Sequence, residues 1–262
     1  MIKMPQVKNE EEIEGVVFQE YDELELASPS FLVVGFPDAG LVGGISISHI
    51  IRELNPAEVG GIDIPRLSPP IVFVRDGEAK PPIKLFKKGN MLLVASEMPL
   101  PPGVIQMFSY ALLEYARRRR VDYVIGITGL GIGERVNKER PLVYAAYSGE
   151  KIKKIIGEKK IQLFNEGAIL GPFAIFLKEA RRFRLDTIVL LAETFPELPD
   201  PEAASAAIEV LSKIIDTKIS IEKLLEEAEY IRLRNKEIMK QTARMMSQVG
   251  KSAEAQPSLL YT

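Results

Sequence analysis

Four short apolar runs, at residues 31–36, 91–95, 121–127 and 187–192, constrain this chain more than any other feature. Each is rich in Val, Ile or Leu and bounded by turn-forming residues. None shows the polar residue at every second place that marks a strand with one wet face. They are expected to be strands buried on both sides, which requires helices above and below a sheet. Helical patterns at 41–54, 103–120 and 172–184 supply those helices. The strand–helix–strand rhythm predicts an α/β fold with a mixed, partly parallel sheet flanked by helices. Strand-like pieces at 60–64, 71–75 and 83–86 come without intervening helices and predict a hairpin-rich extension of that sheet.

The pattern changes at Pro201. A helix is expected from there to about residue 215, with Pro in the first turn where its missing N–H does no harm. A second, long helix is expected over about 220–247, opened by Ser220. In it Ile221, Leu224, Ala228, Ile231, Asn235, Ile238, Thr242 and Met245 recur at spacings of three and four, a four-heptad seam with two polar members. The seam fits an antiparallel hairpin with the preceding helix, and it fits equally a coiled-coil contact with another subunit. The expected organisation is an α/β globular domain over 1–216, a long C-terminal helix over 217–248, and a flexible tail over 249–262 whose Gly, Ser and Pro argue against packing.

Composition narrows the chemistry. At 262 residues and 46% hydrophobic, the chain is long enough for a substantial core. Its formal net charge of −2 gives no electrostatic case for nucleic acid. No apolar run reaches the ~18 residues of a membrane span. The Met1-Ile-Lys-Met-Pro start lacks the apolar centre of a signal peptide, so the expected location is the cytoplasm. Zero cysteines exclude disulfides, thiolate metal sites and a Cys nucleophile. A single histidine, His49, excludes a multi-histidine metal site within one chain, and any Ser-His-Asp triad would need that residue. No metal and no cofactor are expected.

Three glycine segments remain. Gly35-Phe-Pro-Asp-Ala-Gly-Leu-Val-Gly-Gly44 joins a strand to a helix, where open α/β sheets hold ligands and free N–H groups suit an anion. The spacing is neither a dinucleotide fingerprint nor a phosphate loop, because no Lys-Ser or Lys-Thr follows. A tight turn and close helix–sheet packing explain the same glycines. Thr128-Gly-Leu-Gly-Ile-Gly-Glu134 reads as a loop at a strand's carboxyl end, and Gly167 to Gly171 as a turn opening a helix for packing. Asp38, Glu97, Glu134 and Glu193 lie near strand ends and would meet around one crevice. That crevice supports the alternative of a nucleoside- or phosphate-handling enzyme. Arg117-Arg-Arg-Arg120 complements a helix C-terminus, and His49, among Ile47, Ile50 and Ile51, reads as a packed side chain.

The motifs Gly35 to Gly43, Val124-Ile-Gly-Ile-Thr-Gly-Leu-Gly131 and Asn165-Glu-Gly-Ala-Ile-Leu-Gly171 together resemble the proteasome assembly chaperone family in its archaeal and bacterial form, over about residues 31–215. The resemblance implies a fold like that of nucleoside phosphorylases and no established catalysis. It also implies homo-oligomers that bind the outer α-subunits of the proteasome core particle. Separately, Leu260-Tyr261-Thr262 resembles the HbYX ending by which proteasome activators and assembly chaperones enter pockets between α-subunits. By that resemblance Leu260 is the apolar anchor, Tyr261 the wedge against the pocket wall, and Thr262 the donor of the terminal carboxylate. The implied role is an ATP-independent assembly chaperone or activator.

Overall fold

Among the described residues the four apolar runs form the centre of a ten-stranded sheet. The computed structural model describes residues 6–75, 77–132, 140–235, 238, 240 and 244. The runs become β3 (Phe31–Gly35), β8 (Met91–Ser96), β9 (Tyr123–Gly131) and β12 (Asp186–Thr194), all mutually parallel in the order β8-β3-β9-β12. An antiparallel wing continues from β8 through β7 (Ile83–Lys88), β4 (Ala57–Asp63) and β2 (Val16–Glu20) to β1 (Asn9–Ile13). On the far side β10 (Val143–Ser148) pairs antiparallel with β12, and β11 (Gln162–Leu163) pairs parallel with β10. The expected mixed, partly parallel sheet is thus borne out. The piece at 71–75 departs from expectation: β5 (Phe73–Arg75) and β6 (Glu78–Lys80) form a separate two-stranded ribbon.

Alternate residues of the central strands enter two different cores. Leu32, Val34, Leu92, Val94 and Val124 meet α2 (Pro102–Arg118) and α4 (Pro172–Phe183), whose Phe108, Phe173 and Phe176 are buried with Phe36. Val33, Leu93, Ile125, Ile127 and Leu190 meet α1 (Val42–Leu54), α3 (Glu150–Glu158) and α5 (Pro201–Ile214). With apolar cover on both faces, no polar alternation is needed, which is why the runs are continuous.

Glycine sets the distance between α1 and the sheet. A Cβ at Gly43 would stand 2.5 Å from the Ile127 carbonyl oxygen, and one at Gly35 would stand 2.4 Å from that of Gly43. A Cβ at Gly129 would stand 2.2 Å from the Ala39 oxygen. Gly129 and Gly131 lie inside β9, paired with Ala192 and Thr194, and this corrects the expected loop over 128–131. Glycine weakens a strand, but β12 supplies a ladder along the whole length, and Gly129 leaves the room that the one-turn 3-10 helix Ala39–Leu41 occupies. Gly171 also departs from expectation, since among the described residues nothing lies within 4 Å of its would-be Cβ. It serves a φ of +79°, not packing.

The C-terminal helix is not one uninterrupted element over its described part. It consists of α6 (Glu222–Glu226) and α7 (Ala228–Arg234), separated at Glu227, where φ is −92° and ψ 9°. Leu224 and Ala228 are buried, and Ile221, Ile231 and Ile238 pack on the core formed by α1 and α5. These seam residues therefore lie against the chain's own body. Asn235 donates from Nδ2 to the Ile231 carbonyl, 3.0 Å away in its own helix. Thr242, Met245 and residues 246–262 lie outside the described residues.

Two helical glycines give opposite expectations. Gly43→Ala is expected to destabilise the protein by about 1–3 kcal/mol, as overpacking does. Gly157→Ala in α3, with nothing within 4 Å of the new methyl group, is expected to stabilise it by about 0.5–1 kcal/mol. Thermal or denaturant unfolding of the two variants checks both signs.

Candidate functional site

The crevice at the carboxyl ends of β3 and β9 is built around Asp38. Its Oδ2 accepts a hydrogen bond from Thr128 Oγ1, while Oδ1 is sealed from solvent and finds no hydrogen-bond partner among the described residues. Burial pushes the carboxyl up to about 7, against the opposing pull of the Thr128 hydroxyl and the nearby N–H groups of Gly43 and Gly129. The helix start that the sequence offers to a phosphate is therefore faced by the protein's own carboxyl. The chain reaches that position through two left-handed residues, Gly40 at φ +61° and the buried Leu41 at +52°.

The other acids serve separate contacts. Glu193 accepts from the Leu142 N–H at 3.1 Å and from Tyr144 Oη at 3.1 Å. Glu97 pairs with Arg75 at 2.6 Å. Glu134 lies outside the described residues, as do Leu260, Tyr261 and Thr262. Asp200, which the pattern reading passed over, caps α5. Its Oδ1 accepts from Ala203 N at 3.0 Å and its Oδ2 from Thr194 Oγ1 at 3.1 Å. Among the described residues no group of three His, Asp or Glu is placed to hold a metal ion, and no helix is long and apolar enough to cross a membrane.

A clamp holds the C-terminal segment to α1 and α5. His49 is buried and its Nε2 lies 2.7 Å from the Ser220 carbonyl. A carbonyl only accepts, so Nε2 carries the hydrogen and Nδ1 receives Arg52 Nη2 at 3.2 Å. Arg52 Nη1 reaches Glu227 at 2.5 Å, at the break between α6 and α7. Arg232 Nη2 lies 2.7 and 2.6 Å from the two carboxylate oxygens of Glu202. Burial works against the Glu202 charge, but the bond from Arg232 holds its carboxyl below the usual range. Apart from His49 and Arg52, the members of these pairs stand 30 to 175 positions apart, so nothing local in the sequence marks them.

Three arginines of the run at 117–120 are also engaged in ion pairs. Arg117 and Arg118 bond to Glu114, and Arg119 to Glu11 and Glu20. Glu20, itself buried, also accepts from Tyr115 Oη at 2.5 Å. A cleft of about 700 Å³ lies beside this cluster, between residues 8–26 and Arg118 to Arg120, at the opposite end of the parallel strands from Asp38.

Comparison with known proteins places this architecture. The PAC2 family model matches residues 32–239. The crystal structure of Pyrococcus furiosus PbaA, described as an archaeal homolog of proteasome-assembly chaperone, is similar with a TM-score of 0.78 and 29% identity. That match covers 87% of this chain and 98% of PbaA. Pyrococcus furiosus PbaB, described as an archaeal proteasome activator, shares the fold with a TM-score of 0.73 at 19% identity, covering 86% of this chain and 99% of PbaB. An uncharacterized protein of Methanocaldococcus jannaschii is 26% identical over 239 residues, 91% of this chain and 97% of its own length. The family resemblance drawn from the glycine motifs is borne out.

Asp38 gives the fold a specific pH dependence. A carboxyl whose folded-state pKa of about 7 lies above its ordinary 3.8 stabilises fully only below the lower value. That contribution is lost as pH rises through the higher one. Asp38→Asn, which keeps an acceptor for Thr128 but cannot ionise, is expected to gain in Tm relative to the wild type between about pH 4 and 7 and to hold a constant advantage above pH 8. Melting curves across that range check this. An offset independent of pH would show that Asp38 ionises normally.

Proposed function

The chain belongs to the PAC2 family, and from that premise we propose that it binds the proteasome core particle as an assembly chaperone or activator. It works without ATP and without catalysis, in the cytoplasm and as a homo-oligomer. The observation that carries this reading is the family match over residues 32–239 together with the likeness to PbaA along almost its whole length. The crevice lends no weight to the nucleoside or phosphate alternative, because its helix start faces Asp38.

Leu260, Tyr261 and Thr262 are the proposed contact residues, entering pockets between the α-subunits. An aliphatic side chain, a phenol and a carboxylate offer an apolar contact, a half-wet contact and a charge-assisted one. A leash of about thirteen residues extends at most ~45 Å and as a flexible chain spans about 20 Å on average. Each tail alone binds weakly, and several copies on one oligomer add roughly 10²–10⁴ in avidity where their spacing matches the ring. The clamp of His49, Arg52 and Arg232 holds on the body the segment of residues 220–232, which precedes the leash in sequence.

Deleting 260–262 is expected to leave fold and oligomer size unchanged while retention of the chain on an archaeal proteasome core particle falls at least tenfold. Tyr261→Ala should weaken retention comparably, and Ser258→Ala should not. Residues appended after Thr262 should also abolish retention although every side chain is kept. Equal retention of intact and truncated chains would move the contact to the globular body.

A further inference from the structure

Seven of the chain's fifteen arginines, at 117–120, 181, 182 and 184, stand at the carboxyl ends of two neighbouring helices, α2 and α4. These helices lead into β9 and β12, which pair Tyr123 with Asp186, so both ends come to the amino edge of the parallel strands. They touch through Tyr110 of α2 and Phe183 of α4, whose rings lie 6.0 Å apart. Arg117 stands seven positions beyond Tyr110, about two turns further along the same side of α2. With Lys178, Arg181, Arg182 and Arg184 it makes an exposed basic corner.

The acids nearby do not cancel that charge. Glu179 is buried, with Lys178 at 3.6 Å and Arg182 at 3.7 Å from its carboxylate. Glu114 is shared by Arg117 and Arg118. Asp122 accepts from Ser28 and Ser30, and Asp186 from the Ile152 N–H. Among the described residues the side chains of Arg181 and Arg184 have no hydrogen-bonding or ion-pair partner. The helix dipole accounts for the sign of these residues and not for their type. α3 is closed by Lys159 and α5 carries Lys213 in its last turn, and lysine complements a dipole as well. Arginine differs in its flat fork of donors, which meets a carboxylate in two parallel bonds.

We propose that this corner docks on an acidic surface of a partner protein, with Arg181 and Arg184 each taking a carboxylate. Arginine and tyrosine are the residues that protein interfaces favour, and half-buried Tyr110 and Phe183 add apolar area beside the charges. A nucleic acid fits less well. The chain carries a net charge of −2, and cations gathered at one corner give no track along a phosphate backbone. The Tyr110 ring is already engaged by Arg182 at 5.7 Å and by the edge contact with Phe183, so it is no platform for a base. The corner also lies away from the C-terminal segment. That segment runs from Glu227, beside Arg52 near the end of α1, to Arg232, beside Glu202 at the start of α5, and so toward the carboxyl ends of the strands. The basic corner therefore goes beyond the proposed function and gives the protein a second partner at its opposite end.

Fluorescence anisotropy on the full chain tests it, with a labelled peptide of ten glutamates as the probe and a labelled single-stranded DNA of 20 nucleotides as the competing class. The wild type is expected to bind the peptide at low salt and to release it in 1 M salt, where screening acts within about 3 Å. Arg181→Glu/Arg184→Glu is expected to weaken binding about tenfold with unchanged circular dichroism. Arg181→Lys/Arg184→Lys, which keeps every charge and loses the fork, is expected to weaken it about threefold. Deleting 260–262 should leave peptide binding unchanged, so failure of this inference and failure of the proposed function are told apart. Four results would overturn the inference: a wild type that leaves the peptide free up to 1 mM, substitutions at Arg181 and Arg184 without effect, binding that is lost with residues 260–262, or DNA held more tightly than the peptide.

Discussion

The backbone-to-backbone contact between the β3–α1 turn and β9 is the constraint on which the rest of the structure depends. Gly35, Gly43 and Gly129 each stand where a Cβ would press within 2.6 Å of a carbonyl oxygen, so the helix and the strand meet with no side chain between them. This contact lays α1 on the sheet and turns Asp38 inward onto Thr128. It also fixes the height at which His49 and Arg52 emerge toward the C-terminal segment. Open sheets of this kind bind ligands at such a turn. Here the turn is filled by a carboxyl that burial has pushed up to about 7. The glycines that suggested a ligand loop let the helix and the strand pack backbone to backbone.

The strands at the centre of the sheet were legible because both of their faces are covered, which writes burial into every residue from Phe31 to Val34. The edges were not. In β1 only Ile13 is buried, and its Glu-rich sequence gives no apolar signal. In β2 the burial alternates, and the strand that joins it to the rest of the sheet, β4, lies forty or more positions away. The end of β9 was hidden by its glycines, which local propensity reads as a turn, although β12 pairs with them residue by residue. The family was legible in the same glycines taken together. The clamp was not legible at all, since Arg52, Glu202, Glu227 and Arg232 look like any solvated charges until the fold brings them together.

The seam at Ile221 to Ile238 shows the limit of periodicity. Heptad spacing says that one side of a helix is apolar and says nothing about which surface covers it. The core of α1 and α5 covers it here, and the Arg52–Glu227 and Arg232–Glu202 pairs hold it there.

The proposed function assigns the partner to the C-terminal residues and leaves the body of the sheet and its helices free of contact. Hydrogen exchange read by mass spectrometry, on the free chain and on the chain mixed with an archaeal proteasome core particle, tests that division most directly. The account predicts that added protection falls on peptides from 245–262, while peptides of β3, the turn through Asp38 and β9 exchange as in the free chain. Protection concentrated at the Asp38 turn, with the C-terminal peptides unchanged, would contradict it.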